Sequence, residues 1–171
     1  HYEMVAKVVC PMPIRAHAKT IVALLHEHSE TVAVAESITA GGLGAAITHA
    51  PGASDVFLGG VIAYSNDVKI KFLGVDPALI EECSVISEEV ANAMADAVRE
   101  KFGTTWGIAT TGIAGPGDYE GIPEGTVWVA IRGPINQSIQ LQLDSGREAI
   151  RTGAISSAIG TFARILSYRT T

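Results

Sequence analysis

Two serines, a tyrosine and a lysine carry the reactive chemistry this sequence offers: Ser37, Ser54, Tyr64 and Lys69. A serine hydroxyl becomes a useful nucleophile when a base takes its proton. Lysine is such a base when burial, nearby cations or dipoles leave its amine neutral. Together they would perform acyl transfer on an ester or amide. The stretch from Ser54 to Lys69 supplies both parts, yet the apolar run between them reads as a strand, which would separate them by roughly 25–30 Å if fully extended. They meet only if the loop bearing Ser54 folds back or a second chain supplies one of them. The residue pattern alone does not choose between Ser37 and Ser54.

Other site chemistries find little support. A histidine-based triad needs a histidine beside the serine. The five histidines, His1, His17, His26, His28 and His49, read as structural or solvated positions. His26 and His28 diverge on a helix because they are two residues apart. There is no HExxH and no paired-cysteine motif, so no metal is indicated, and neither GxGxxG after the first strand nor GxxxxGK[ST] is present. Gly41-Gly42 and the loop Gly112–Gly117 can still offer backbone N–H groups to an anion. Arg147 falls at the start of a helix, where a cation opposes the dipole; such a residue makes sense facing a bound anion.

These residues need elements to hold them. Arg15–His28 is expected to be an amphipathic helix, 31–35 a buried strand, and 36–42 a polar turn opening a helix that runs to about Thr48. A second strand lies within 56–64. Short helices follow over 66–73, capped by Asn66 or Asp67, and over 77–82. Ser87 caps a helix that runs to Phe102 and ends at Gly103. Residues 106–111 form a third strand, 127–131 and 138–143 an antiparallel pair, and 147–167 a final helix. The expected fold is α/β: a three-layer α/β/α sandwich with a mixed, mostly parallel sheet and a C-terminal antiparallel hairpin. Ligands in such sheets bind outside the carboxyl ends of the strands. That rule selects Ser37, Thr39, Tyr64, Ser65, Asn66, Lys69 and Thr111.

Composition bounds the rest. The chain has 171 residues, 47% of them apolar, with 18 glycines, two cysteines and a net charge of −6. That suits one domain, with residues 1–13 as a short lead-in, and excludes a disordered chain. An acidic balance argues against a nucleic-acid partner, and no apolar run reaches the 18 or so residues of a membrane span. Cys10 and Cys83 read as reduced thiols of a cytoplasmic protein.

The runs Ala35-Glu-Ser-Ile-Thr-Ala-Gly-Gly42, Pro51-Gly-Ala-Ser-Asp-Val-Phe-Leu-Gly-Gly-Val-Ile-Ala-Tyr-Ser-Asn66 with Lys69, and Leu73-Gly-Val75 resemble the CinA C-terminal domain family. Val85-Ile-Ser-Glu-Glu-Val90, Thr111-Gly-Ile-Ala-Gly-Pro-Gly117 and Gly125-Thr-Val-Trp-Val-Ala130 continue the likeness over residues 15–168. The resemblance implies an α/β/α sandwich and a Ser/Lys amidohydrolase that converts nicotinamide mononucleotide (NMN) to nicotinate mononucleotide and ammonia, without a cofactor. It places the nucleophile at Ser54, the base at Lys69, assisting groups at Ser37 and Tyr64, and a phosphate-holding arginine at Arg147. Thr39, Gly41, Gly42, Asn66, Thr111, Gly112, Ala114 and Gly115 are the further substrate-binding positions expected. A homo-oligomer is compatible with the family. The alternatives are a non-catalytic nucleotide-binding regulatory module and an amidase for another small amide. Ile38 and Ala40 stand where relatives often have Cys and Gly, and Ser145-Gly146 replaces a common Gly-Asp before Arg147.

Overall fold

The structure is a computed structural model describing residues 12–169. His1, Cys10 and nearly all of the expected lead-in lie outside the described residues. Along the described chain run α1 (Met12–Glu27), β1 (Val32–Glu36), α2 (Gly42–Ile47), a 3-10 turn (Ala53–Asp55), β2 (Phe57–Ile62), α3 (Asn66–Leu73), α4 (Pro77–Cys83), α5 (Glu88–Phe102), β3 (Trp106–Gly112), β4 (Thr126–Arg132), β5 (Gln137–Gln142) and α6 (Arg147–Tyr168). The first helix begins at Met12, before the expected Arg15, because Pro13 is tolerated in a first turn whose N–H groups have no intrahelical acceptor. The cap of α3 is Ser65 rather than Asn66 or Asp67. Its backbone is extended and its hydroxyl accepts from Val68 N. Ser87 caps α5 in the same way, and Gly103 ends it with a left-handed φ of 64°.

The five strands form one sheet in the order β2-β1-β3-β4-β5. Strand β1 pairs in parallel with both β2 and β3, while β3–β4 and β4–β5 are antiparallel. Four strands therefore run one way and β4 alone opposes them. Alternation along the buried strands sends side chains to two cores. Val32, Val34, Ile108, Val127 and Val129 pack with α1, α2 and α6, whereas Ala33, Ala35, Ala109 and Ala130 pack with α5 and the short helices before it. These are the outer layers of the three-layer sandwich. The second face is built of small residues because α5 lies close against it. A Cβ on Gly107 would come within 2.2 Å of the Ala95 carbonyl oxygen.

Because β1, β2 and β3 are parallel, their carboxyl ends share one edge of the sheet. Glu36 stands in register with Ile62 on one side and Thr110 on the other. The turns leaving these three strands therefore converge. No helix among the described residues is long and apolar enough to cross a membrane.

Candidate active site

At this converging edge lies a cavity of about 510 Å³. Ser37 enters it from the end of β1, Tyr64 and Asn66 from the end of β2, Gly112 and Ala114 from the end of β3, and Val85 and Ile86 from the segment before α5. Lys69 reaches it from α3. Lys69 and Leu73 are four residues apart, so they share the stripe of α3 that faces the protein. This placement leaves Lys69 only 1% exposed. Its Nζ donates to Ser37 Oγ at 3.1 Å and to the Tyr64 carbonyl oxygen at 3.0 Å. Neither partner carries a negative charge, and the ion pairs among the described residues do not include Lys69. Burial therefore pushes its pKa down from 10.5 to about 8. At pH 7 about a tenth of the molecules hold a neutral amine. That form can accept the Ser37 proton along the same 3.1 Å line.

The turn carrying Ser37 is held from several sides. Ser37 N donates to the Thr110 carbonyl on β3 at 3.1 Å. Glu36, 2% exposed, takes Thr39 Oγ1 and Leu43 N on one oxygen at 2.6 and 2.7 Å and Gly44 N on the other at 3.0 Å. Thr39 and Thr110 share a further hydrogen bond of 2.8 Å. From α6, Arg151 donates to the carbonyl oxygens of Ile38 and Thr39 at 3.1 and 3.3 Å. Its neighbour one turn earlier, Arg147, donates to Tyr64 Oη at 2.9 Å and to the Gly115 carbonyl, and so joins α6 to two walls of the cavity mouth.

Of the expected site residues, Ser37, Tyr64, Asn66, Lys69, Thr111, Gly112 and Ala114 line the cavity. Gly115 and Arg147 meet at its rim. Thr111 turns its hydroxyl away, donating to the Val85 carbonyl at 3.0 Å. Three expectations change. Ser54 is an exposed residue of the 3-10 turn that precedes β2, whereas Lys69 follows its other end. Six residues of strand span about 20 Å. The chain does not fold back to close that gap, so the serine that a single chain brings to its own lysine is Ser37. Thr39 is fully buried beneath the cavity and hydrogen-bonded to Glu36 and Thr110, so it supports the turn instead of facing a ligand. Gly41-Gly42 does open α2, with Gly41 at a φ of 98°. Its helix-start N–H groups are not open to a substrate anion, because the Glu36 carboxylate already occupies that place. Gly42 borders a separate groove with Ile155 and His49.

Sequence reasoning passed over Glu36 and Arg151. Nothing local marks Glu36, whose acceptor role depends on where residues 43 and 44 fold. Arg151 had a usable signal: it lies four residues after Arg147, on the same stripe of a helix. Among the described residues no group of three or more His, Cys, Asp or Glu side chains is placed to hold a metal ion.

Comparison with known proteins places this geometry in context. A family model described as the CinA C-terminal domain matches residues 14–166. A CinA-like protein of Synechocystis sp. is 53% identical over 154 residues, covering 87% of this chain and 37% of the relative. One from Frankia casuarinae is 43% identical over 150 residues, covering 86% and 34%. The chain thus spans about a third of the length of these curated relatives. The crystal structure of a competence/damage-inducible protein from Agrobacterium tumefaciens superposes with a TM-score of 0.87 at 28% identity, covering 92% of this chain and 98% of the other.

Proposed function

This chain belongs to the CinA C-terminal domain family, within the competence/damage-inducible superfamily, and on that premise we propose that it is an amidohydrolase that converts NMN to nicotinate mononucleotide and ammonia. One observation carries the proposal: a buried lysine amine without a counter-charge lies 3.1 Å from a serine hydroxyl in a cavity. Ser37 is the nucleophile and Lys69 the base. Neutral Lys69 takes the hydroxyl proton as Ser37 Oγ bonds to the carboxamide carbon. The tetrahedral adduct collapses, the C–N bond breaks, and the Lys69 proton leaves with the amine as ammonia. Water then hydrolyses the acyl-enzyme, with Lys69 again as base, and releases the carboxylate product. Tyr64 holds the base through its carbonyl and presents its phenol at the cavity mouth. Arg147 exchanges its Tyr64 and Gly115 acceptors for the substrate phosphate, a charge-assisted pairing stronger than either. Val85, Ile86 and Ile113 supply an apolar wall for the pyridine ring.

Ammonia release from NMN by the purified chain tests this reading. Ser37→Ala is expected to lower the rate by about 10³-fold or more, while Ser54→Ala stays within about twofold. No release from NMN, or full activity in Ser37→Ala, overturns it. Nicotinamide and glutamine in the same assay separate an NMN enzyme from an amidase for another small amide.

A further inference from the structure

The turn that carries Ser37 uses most of its N–H groups internally. Ser37 N goes to Thr110 O, Ala40 N to Ser37 O, Gly42 N to Thr39 O, and Leu43 N and Gly44 N to the Glu36 carboxylate. The N–H groups of Ile38, Thr39 and Gly41 have no acceptor among the described residues, and of these three residues only Ile38 lines the cavity. Ile38 is 3% exposed, lines the cavity and directly follows Ser37. A buried amide without an acceptor is costly, about 1–3 kcal/mol, and such a group at a reactive serine is suited to an anion that exists only during reaction. Its own peptide, 37–38, is held by Ala40 N on the Ser37 carbonyl, and the two peptides that follow are held from 112 and 113 residues away, where Arg151 donates to the Thr39 and Ile38 carbonyls.

We infer that the Ile38 N–H is an oxyanion donor and that Arg151 is a positioning residue, bracing the turn directly after the donor peptide. As Ser37 Oγ bonds to the acyl carbon, the electron pair of the C=O bond moves onto its oxygen, and the Ile38 N–H donates a hydrogen bond to that oxyanion. The serine proton passes to Lys69. The inference rests on Ser37 as nucleophile but not on the identity of the amide. Arg151 differs from Arg147 in this respect. Arg147 sits at the mouth and touches what binds there, whereas Arg151 touches only the turn.

The test uses a fluorophosphonate, in which Ser37 Oγ bonds to phosphorus, the P–F bond breaks and fluoride leaves, with the phosphoryl oxygen taking the oxyanion position. Modification at Ser37 is followed by mass spectrometry in the wild type, Arg151→Ala and Arg151→Lys, alongside thermal unfolding. Arg151→Ala is expected to slow modification by roughly 10- to 100-fold, short of the 10²–10³ lost with a deleted donor. Arg151→Lys, which can still serve one carbonyl, falls between. With NMN as substrate, kcat falls by a similar factor while KM changes less than twofold, a split that simple loss of folded protein does not produce. If Arg151→Ala does not fold, Arg151→Met is the truncation measured. An unmodified Ser37 in the wild type overturns the nucleophile itself. A modified wild type with equally fast Arg151 variants overturns only the role given to Arg151 and Ile38.

Discussion

At the amino-terminal edge of the sheet, Glu30 receives both Arg169 nitrogens at 2.6 and 2.9 Å and the Trp106 indole N–H at 3.1 Å. The Arg169 guanidinium also lies 5.3 Å from the Trp106 ring centre. At the carboxyl-terminal edge, Lys69 is buried more deeply, with a hydroxyl and a carbonyl as its only hydrogen-bond partners among the described residues. Burial raises the Glu30 pKa, but hydrogen bonds from Arg169 and Trp106 outweigh it and hold the carboxyl below its usual value. Lys69 has no such compensation, and its pKa falls to about 8. One edge satisfies a buried charge and gains stability. The other leaves a charge unsatisfied and brings the neutral form of an amine within reach of physiological pH, as the proposed base requires. The same fold thus holds a staple and a reactive group at opposite ends of its strands.

Replacing Lys69 by Met breaks the contrast most completely. Amide hydrolysis should fall by at least about 10³-fold. Stability should rise, since a pKa held near 8 instead of 10.5 corresponds to about 3 kcal/mol at about 1.4 kcal/mol per pH unit. That figure is an upper bound below pH 8, because the Ser37 and Tyr64 acceptors lose their donor. Chemical denaturation at pH 7 measures it, and a variant less stable than the wild type would show that Lys69 belongs to the packing and not to a strained site.

The pH dependence sharpens the contrast. The hydrolysis rate should climb about tenfold per unit up to pH 8 and then level off; a flat profile from pH 6 to 9 rules out Lys69 as base. For stability the two groups act in separate windows. Between about 8 and 10.5 the unfolded chain holds a lysine proton that the folded chain has lost, so stability rises with pH there. Glu30 contributes fully above its ordinary value of 4.5, and this contribution is lost as acid drives pH down through its lowered folded value. Denaturant midpoints across pH 3–10 should show both limbs, and Lys69→Met should remove only the alkaline one.

Glu30→Gln is the matching change at the other edge. It leaves Arg169 without its carboxylate, and a loss of about 2–3 kcal/mol is expected with hydrolysis unchanged. A loss of activity greater than the loss of folded protein would mean that the two edges are coupled. The smallest effect is expected at Ala40, whose φ of 47° is left-handed. Ala40→Gly should stabilise by up to about 1 kcal/mol by relieving the contact of Cβ with the carbonyl. Ser145, at a φ of 75°, is likewise left-handed.

Legibility followed the range of each interaction. Helices α3 and α5, the hairpin and the α/β alternation were read from caps, glycine stops and periodicity, all of which are local. Lys69, Tyr64, Asn66 and Ser37 were found because strand ends in a parallel sheet face one crevice. Ser54 was assigned as the nucleophile by family likeness, although the strand between it and Lys69 already argued for separation. Glu36 and Arg151 were missed because the contacts that define their roles, Glu36 with the Leu43 and Gly44 N–H groups and Arg151 with the Ile38 and Thr39 carbonyls, depend on how the turn and α6 fold together.

By itself the sequence determined the layer architecture, the family and the set of polar residues from which a site is drawn. Hydrophobic period, capping chemistry and turn residues act over a few positions and are written in the chain directly. Only the tertiary structure decided which serine of the chain meets its lysine, that the start of α2 is closed by Glu36, and that burial lowers the lysine pKa. Each of those depends on burial and on contacts between segments far apart in sequence, and desolvation has no value until the chain has folded around the charge.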